Sequence, residues 1–249
     1  MAADLETSFD PCHAQSFEAR TCPHRYLDAI KGKEEDNYFT PVLNRVFDPQ
    51  MHKVIVDVGC GNGFFSAGLK RLNGGQTLIG IDGNPLALEQ ARSRGFDKTF
   101  RIADLDTQSL PMDSSSADLV ICKDVLEHLV NPTQVASEIA RILRPSGTFL
   151  FHVPNHFPLF ARLKFLFKND VDTFRYFPDT DSWNFPHIRF FKFHDVVRKM
   201  NELGLDFSQN LSDSFAYAPF MRIGGFDRYL ARRSPDQFAI GLTLSFKKR

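Results

Sequence analysis

Three glycines at alternate positions, Gly59, Gly61 and Gly63, follow an apolar, β-branched run that ends at Val58. Glycine tolerates a positive φ angle and lets a ligand lie against bare backbone, and a helix that starts there offers free N–H groups. Asp57 lies inside the end of the run, where a carboxylate would repel a pyrophosphate and would suit a cation such as an amino-acid ammonium. The spacing therefore predicts a site for a polar, nucleotide-like ligand.

Two common phosphate-binding motifs do not fit this glycine turn. A dinucleotide fingerprint requires glycine at the first, third and sixth positions, and the sixth position counted from Gly59 is Phe64. A triphosphate-binding loop would continue into Gly-Lys-Ser/Thr, which is absent here. A nicotinamide oxidoreductase on a similar sheet is therefore the weaker interpretation.

Short apolar runs that predict strands alternate with segments of helical periodicity. Asn84-Pro85 and Asn131-Pro132 each place a capping residue before a proline at the first helical position. Gly95 and the segment Pro145-Ser-Gly147 predict the ends of these two helices. Further helices are predicted near 37–47 and 196–203. The predicted strands are 54–58, 77–82, 98–102, 118–123, 148–153, 205–208 and 238–246.

This order of elements predicts an α/β fold, a doubly wound, Rossmann-like and mostly parallel seven-stranded sheet. The last strand alternates large apolar with small residues from Phe238 to Phe246, which favours an antiparallel strand with unlike faces. We expect a single domain over 1–249, divided into an N-terminal lid segment (1–50), a cofactor-binding half (51–153), an aromatic-rich cap insertion (154–194) and a segment that completes the sheet (195–249). Twelve of the 26 phenylalanines fall between Phe149 and Phe193.

Composition narrows the function classes. The chain has 249 residues, 30 basic and 30 acidic, and no long run of one sign, so we expect no nucleic-acid partner. No apolar stretch of membrane-spanning length and no signal peptide is evident, and four scattered cysteines favour a reducing, cytoplasmic location. The segments Cys12-His13 and Cys22-Pro-His24 fit no zinc spacing, and no metal site is expected.

Several motifs taken together resemble the class I S-adenosylmethionine-dependent methyltransferases, from about Val54 onward. The motifs are Val-Asp-Val-Gly-Cys-Gly-Asn-Gly at 56–63, Gly-Ile-Asp-Gly-Asn-Pro at 80–85, Ala-Asp-Leu at 103–105, the segment 116–129 and Ile-Leu-Arg-Pro-Ser-Gly-Thr at 142–148. Val153-Pro-Asn155 and Pro186-His-Ile-Arg-Phe-Phe191 resemble the small-molecule branch near the MetW and ubiquinone-type methyltransferases. The resemblance implies S-adenosylmethionine as cofactor.

The resemblance also gives the motifs their roles. The glycine turn would hold the methionine part of the cofactor, with Asp57 near its ammonium. Asp82 would accept hydrogen bonds from both ribose hydroxyls, and Asp104 would accept from the adenine amino group. Lys123 departs from the small or neutral residue expected after the fourth strand, and it could point away, pair with Asp124 or contact the carboxylate. The full set of implied cofactor residues is Asp57, Gly59, Cys60, Gly61, Gly63, Asp82, Gly83, Asn84, Asp104, Leu105, Lys123, Asp124 and Val125.

For the acceptor side we predict transfer to an oxygen or nitrogen of a small, aromatic or lipophilic molecule. Histidine is the general base expected near neutral pH, and His128, His156 and His187 are the candidates, with His152 ranked below them as a core residue. The Phe-rich stretch 157–167 predicts a lid helix that packs on the core. A catalytically silent cofactor-binding or regulatory protein is the alternative, and either a monomer or a homodimer is compatible with the sequence.

Overall fold

The computed structural model describes residues 40–69, 75–102, 104–168, 187–213 and 225–249. Within these ranges the strands form one seven-stranded sheet in the order β3-β2-β1-β4-β5-β7-β6. The pairs among β1 to β5 are parallel, and β7 runs antiparallel to both β5 and β6. The strands are β1 Val54–Val58, β2 Thr77–Asp82, β3 Lys98–Arg101, β4 Ala117–Lys123, β5 Leu143–Pro154, β6 Leu205–Asn210 and β7 Gly241–Lys248.

Helices cover both faces of this sheet. They are α1 Thr40–Val46, α2 Pro85–Ser93, α3 Pro132–Ile142, α4 Leu159–Lys168, α5 Phe193–Glu202, α6 Phe226–Arg233 and α7 Pro235–Phe238, with a 3₁₀ turn at Leu126–His128. Helices α1 and α2 pack with one face of the strands in one core cluster, and α3 and α5 pack with the other face in a second cluster. The predicted doubly wound fold with an antiparallel last strand is therefore confirmed.

The central strands are buried on both faces because helices cover each side. In β1, Ile55 belongs to the α1–α2 cluster, whereas Val56 and Val58 belong to the α3–α5 cluster, and all three are fully buried. Each such side chain contributes about 1.5–3 kcal/mol to stability when it leaves water. The same burial fixes the carboxyl ends of β1, β2 and β4 at one edge, where the glycine turn begins.

Two helix starts were predicted from Asn-Pro pairs, and both helices begin at the proline. The Asn84 side chain accepts hydrogen bonds from the backbone N–H groups of Leu86 and Ala87, at 3.0 and 3.3 Å, and so caps α2. Asn131 precedes α3 without a side-chain capping bond. The predicted end of α3 at 145–147 is wrong, because the chain passes from Ile142 directly into β5, where Leu143 pairs with Ala117.

The last strand differs from its prediction in start and burial. β7 begins at Gly241, since Phe238 ends the short helix α7. Its residues from Gly241 to Phe246 are all buried, and its two faces still differ in composition. Leu242, Leu244 and Phe246 belong to the α3–α5 core cluster, whereas Thr243 and Ser245 are buried polar residues. A Cβ on Gly241 would lie 2.7 Å from Cε1 of His152.

The cap insertion is described in part. Its helix α4 is present, but it buries Ala161 and exposes Phe160, Phe165 and Phe167, so the predicted packing on the core is limited. The predictions for residues 1–39 and 169–186 lie outside the described residues, as do both Cys-His segments of the N-terminal part. Among the described residues, no helix combines the length and apolar character needed to cross a membrane.

Candidate active site

The glycine turn is held between β1, β2 and the loop after β4. Gly59, Gly61 and Gly63 have φ angles of 72°, 51° and 74°, in the region that L side chains rarely adopt. The N–H groups of Gly59 and Cys60 donate to the carbonyl of Ile81 at 2.8 and 3.2 Å. A Cβ on Gly59 would lie 2.1 Å from Cγ2 of Val125, so only glycine fits there. The turn therefore presents bare backbone at the carboxyl edge of the sheet.

Asp82, at the end of β2, is bound to this turn. Its Oδ2 accepts from the Gly61 N–H and its Oδ1 from the Asn84 N–H, both at 2.8 Å. Burial raises the pKa of Asp82, against the opposing effect of the backbone N–H groups of Asn84, Gly61 and Gly83. A carboxylate oxygen has a second lone pair. Asp82 therefore joins the glycine turn to α2 and still has acceptor capacity for two hydroxyl groups.

Asp57 is the buried acid beneath the turn and is 5% exposed. The pKa of Asp57 is raised to about 7, mainly by burial and also by the nearby Asp82 carboxyl. The Ser66 hydroxyl, which donates to Oδ2 of Asp57, and Lys123 oppose this rise. Ser66 was not singled out in the sequence, although its place at the start of the helix that follows the turn is a usable signal. The site thus holds a carboxyl group poised to ionise near neutral pH.

Lys123 and Asp124 follow β4 and form an ion pair with each other. The Lys123 ammonium lies 4.0 Å from the centre of the Phe65 ring, a cation–π contact that the sequence did not suggest. Asp124 has a φ of 54°, uncommon for a residue with a side chain, and its Oδ1 lies 3.4 Å from Nε2 of His152. Burial would raise the pKa of Asp124, but Lys123, His152 and His128 lower it below its usual value.

Asp104 lies in a turn after β3. Its carboxylate accepts from the N–H of Asp106 and the hydroxyl of Thr107, both at 2.8 Å, so it caps its own turn. Leu105 is buried and belongs to the same α3–α5 core cluster as Val125. The adenine role of Asp104 stays a prediction. Asp106, which the sequence reasoning missed, accepts from the N–H groups of Val130 and Asn131 at 3.1 and 2.6 Å and joins this turn to the loop before α3.

The three candidate histidines come together although they are far apart in the chain. Nε2 of His156 lies 2.6 Å from Nδ1 of His187, and the ring centres of His128 and His187 are 4.7 Å apart. Burial lowers the pKa of His156 to about 4 and that of His187 to about 3. Both rings are therefore neutral near pH 7. Their roles in catalysis stay predictions.

Glu127 lies beside these histidines and is fully buried. Neither carboxyl oxygen has a hydrogen-bond partner within the described part of the chain. Its backbone carbonyl accepts from the N–H groups of Ile188 and Arg189, at 2.8 and 3.1 Å, which brings His187 to the site. Burial raises the pKa of Glu127 well above its usual value, and the nearby Asp124 adds to this. In the sequence, Glu127 is one residue of the segment 116–129, and nothing there marks it as a buried acid.

His152 stands apart from this group, as its strand position suggested. It is buried in β5, and its Nδ1 lies 2.7 Å from the hydroxyl of Thr243 on β7. Burial lowers the pKa of His152 to about 4, with Asp124 opposing and Lys123 adding to the shift. His152 therefore links β5 to β7 and to Asp124.

Part of this chain is similar in sequence to known proteins. Residues 56–151 match the family described as Methyltransferase domain. A ubiquinone biosynthesis O-methyltransferase from Xanthomonas oryzae is 32% identical over 108 residues, 42% of this chain and 44% of that protein. A ubiquinone biosynthesis O-methyltransferase from Hahella chejuensis is 30% identical over 141 residues, 54% of this chain and 58% of that protein. The chain thus spans about half the length of these curated relatives.

The fold agrees with solved methyltransferases. A S-adenosylmethionine-dependent methyltransferase from Thermotoga maritima matches with a TM-score of 0.63 and 14% identity, over 93% of this chain and 98% of that one. At this identity the likeness concerns the fold. Together with the matched motifs, it supports a class I S-adenosylmethionine-dependent methyltransferase domain over residues 56–151, the class that the sequence resembled. S-adenosylmethionine is the cofactor that this family and fold imply.

Proposed function

We propose that this chain transfers the methyl group of S-adenosylmethionine to an oxygen or nitrogen of a small, aromatic or lipophilic acceptor. The observation that carries the proposal is the division of one sheet edge into two chemically different halves. The glycine turn with Asp57 and Asp82 forms the first half. The histidine group with Phe157 and Phe190 forms the second half, and Lys123 and Asp124 lie between the two in the chain.

The first half suits the cofactor. The positive-φ glycines leave room for the methionine part, and Asp57 offers a carboxylate to its ammonium at low exposure, where ion pairing is strong. Asp82 can accept the two ribose hydroxyls while it keeps its bonds to Gly61 and Asn84. Open α/β sheets bind ligands at this edge, outside the carboxyl ends of their strands.

The second half suits an apolar acceptor. The rings of Phe157 and Phe190 lie 5.2 Å apart, and the ring of His156 lies 4.9 Å from that of Phe190. Phe157 and Phe190 are about half exposed, at 51% and 54%. Exposed aromatic rings beside neutral imidazoles favour a flat or lipophilic molecule, because such a molecule can stack on them and cover their apolar surface.

The chemistry asks little of the protein beyond alignment. The acceptor lone pair attacks the sulfonium methyl in line, the S–C bond breaks, S-adenosylhomocysteine leaves, and the acceptor loses its proton. Holding two reactants in this geometry can supply about 7–11 kcal/mol at best. His128, His156 and His187 are the groups placed to accept that proton, although the low pKa values of His156 and His187 make these two rings weak bases at neutral pH.

The first test is calorimetric titration with S-adenosylhomocysteine. We expect the wild-type chain to bind and Asp82→Ala to lose at least tenfold in affinity, since hydrogen bonds to a charged group contribute about 1.5–3 kcal/mol each. Asp195→Ala, at an acid that is 63% exposed on α5, is the matched control and should bind like the wild type. Absence of binding to the folded wild-type chain would refute the proposal.

The second test is turnover. Mass spectrometry of reactions with phenolic, catecholic and aromatic amine acceptors should detect a product heavier by one methylene. Methylation of small charged acceptors alone would refute the aromatic part of the proposal. Tight cofactor binding with no product from any acceptor would instead support the alternative, a catalytically silent cofactor-binding protein.

A further inference from the structure

We infer that Glu127, His128 and His187 form a binding site for a divalent transition-metal ion beside the methyl-transfer site. Each residue offers one ligand atom, and these atoms all lie within 4.8 Å of one another. Oε1 of Glu127 is 4.0 Å from Nε2 of His128. Around zinc at about 2.0–2.1 Å, tetrahedral ligand atoms lie about 3.4 Å apart, so a modest inward movement of the side chains would complete the site.

The Glu127 carboxyl gives an independent reason to expect a cation. It is 0% exposed, and neither oxygen has a hydrogen-bond partner in the described part of the chain. A buried polar group without a partner is unfavourable, and more so when it is charged. Buried charges in proteins are as a rule paired or bound to metals. A metal ion would satisfy this carboxylate.

His156 holds the His187 ring in the orientation that a ligand needs. The contact of 2.6 Å between Nε2 of His156 and Nδ1 of His187 engages Nδ1, so Nε2 is the nitrogen of His187 that would bind a metal. With the proton of His187 on Nδ1, the ring donates to His156 and keeps a lone pair on Nε2. Metal-binding histidines commonly donate their other ring N–H in this way.

The surrounding charges also favour a cation. Asp124 interacts electrostatically with Glu127, His128 and His187, and Lys123 interacts with Glu127 with the opposite sign. Lys123 is already paired with Asp124. Two imidazoles and one carboxylate suit zinc, iron(II), manganese or cobalt better than calcium or magnesium, which prefer oxygen ligands.

The site would leave coordination positions open, because it has three protein ligands. Its use in catalysis rests on the proposed function. A metal in this position could bind the acceptor oxygen and lower the pKa of its hydroxyl, so that the acceptor ionises without a strongly basic histidine. His128 and His187 would then be ligands rather than general bases, and His156 a positioning residue. This departs from the sequence-based expectation that the chain has no metal site.

Cobalt(II) is the probe for the test, because its visible absorption reports the ligands. The experiment uses the full chain carrying Cys12→Ser and Cys22→Ser, which removes the N-terminal thiols, after treatment with a chelator. We expect one cobalt ion per chain, with absorption in the visible region, and displacement by zinc in a calorimetric competition. Glu127→Gln and His187→Ala should each weaken cobalt binding at least tenfold.

Two further variants distinguish the metal ligands from a residue that only positions a ligand and from a surface histidine. His156→Ala should weaken cobalt binding about 10–100-fold, the range for groups that orient a metal ligand. His194→Ala, at an exposed histidine on α5, should bind cobalt like the parent chain. Titration with S-adenosylhomocysteine checks that each variant is folded.

The outcomes distinguish this inference from the proposed function. If the parent chain binds S-adenosylhomocysteine but no cobalt, the metal site is refuted and the methyltransferase proposal stands. Cobalt binding that Glu127→Gln and His187→Ala both leave unchanged also refutes it, because the ion then lies elsewhere. Cobalt binding that depends on both residues, in a chain that methylates no acceptor, supports the metal site and counts against the proposed function.

Discussion

The ionisation of Asp57 predicts that cofactor affinity depends on pH. The pKa of this buried carboxyl is raised to about 7, mainly by burial, and the Ser66 hydroxyl limits the rise. If Asp57 binds the ammonium of the cofactor, only its ionised form does so. A group with a raised carboxyl pKa is ionised above that pKa, so affinity for S-adenosylhomocysteine should increase as the pH rises through 7.

The size of the effect follows from the fraction ionised. With a pKa of about 7, about a tenth of the carboxyl is ionised at pH 6 and about nine tenths at pH 8. Affinity should therefore increase roughly tenfold between pH 6 and pH 8, about 1.4 kcal/mol. The ammonium of the ligand stays protonated over most of this range and does not cancel the trend.

Calorimetric titration at pH 6, 7 and 8 measures this dependence, with two variants as controls. Asp57→Asn should bind more weakly at pH 8 and show a flat profile. Ser66→Ala should displace the wild-type profile to higher pH, because the hydroxyl that lowers the pKa of Asp57 is gone. A wild-type profile that is flat, or that slopes alike in Asp57→Asn, would refute the reasoning.

Three stability predictions follow from the same packing. In urea unfolding, Asp57→Asn should stabilise the ligand-free chain by at most about 4 kcal/mol at pH 8, and by less at pH 5. The reason is that the pKa of Asp57 is raised from 3.8 to about 7, so the free energy of unfolding of the wild type falls as the pH rises between these values. Gly59→Ala should cost about 1–3 kcal/mol, partly recovered by Val125→Ala, since the added Cβ would lie 2.1 Å from Val125; equal loss in both backgrounds would contradict this. Asn155→Ala should cost about 1–3 kcal/mol in thermal unfolding, because its amide donates to three backbone carbonyls in and after α7; an unchanged Tm would contradict it.

Local chemistry made most of the fold predictable. Strands β1 and β2 have the predicted bounds because runs of β-branched and apolar residues end at Asp57-Val58 and at Asp82. The proline at the first position set the starts of α2 and α3. The last strand was predicted less well, since Phe238 continues the apolar alternation in sequence while Pro235 begins a short helix that contains it.

The cofactor half of the site was predictable because its residues lie close to one another in motifs. Gly61 and Asp82 are 21 positions apart, but each marks the end of a parallel strand, and parallel neighbours bring such ends together. The contacts that hold these residues in place were not predictable. No feature of the sequence predicts that Ser66 contacts Asp57, that Phe65 contacts Lys123 or that Asp106 binds the backbone of Val130.

The sequence by itself determined the fold class of this protein and the position of its ligand-binding turn, because strand runs, glycine turns and strand-end acids are local features with local physical causes. Tertiary structure decided what lies on the acceptor side. His128, His156 and His187 meet only because the Glu127 carbonyl binds the backbone of Ile188 and Arg189 across 60 residues of chain. Whether a carboxylate is solvated or buried without a partner depends on what the folded chain packs around it. The folded chain buries the Glu127 carboxyl beside His128 and His187, and this surrounding makes Glu127 a candidate metal ligand.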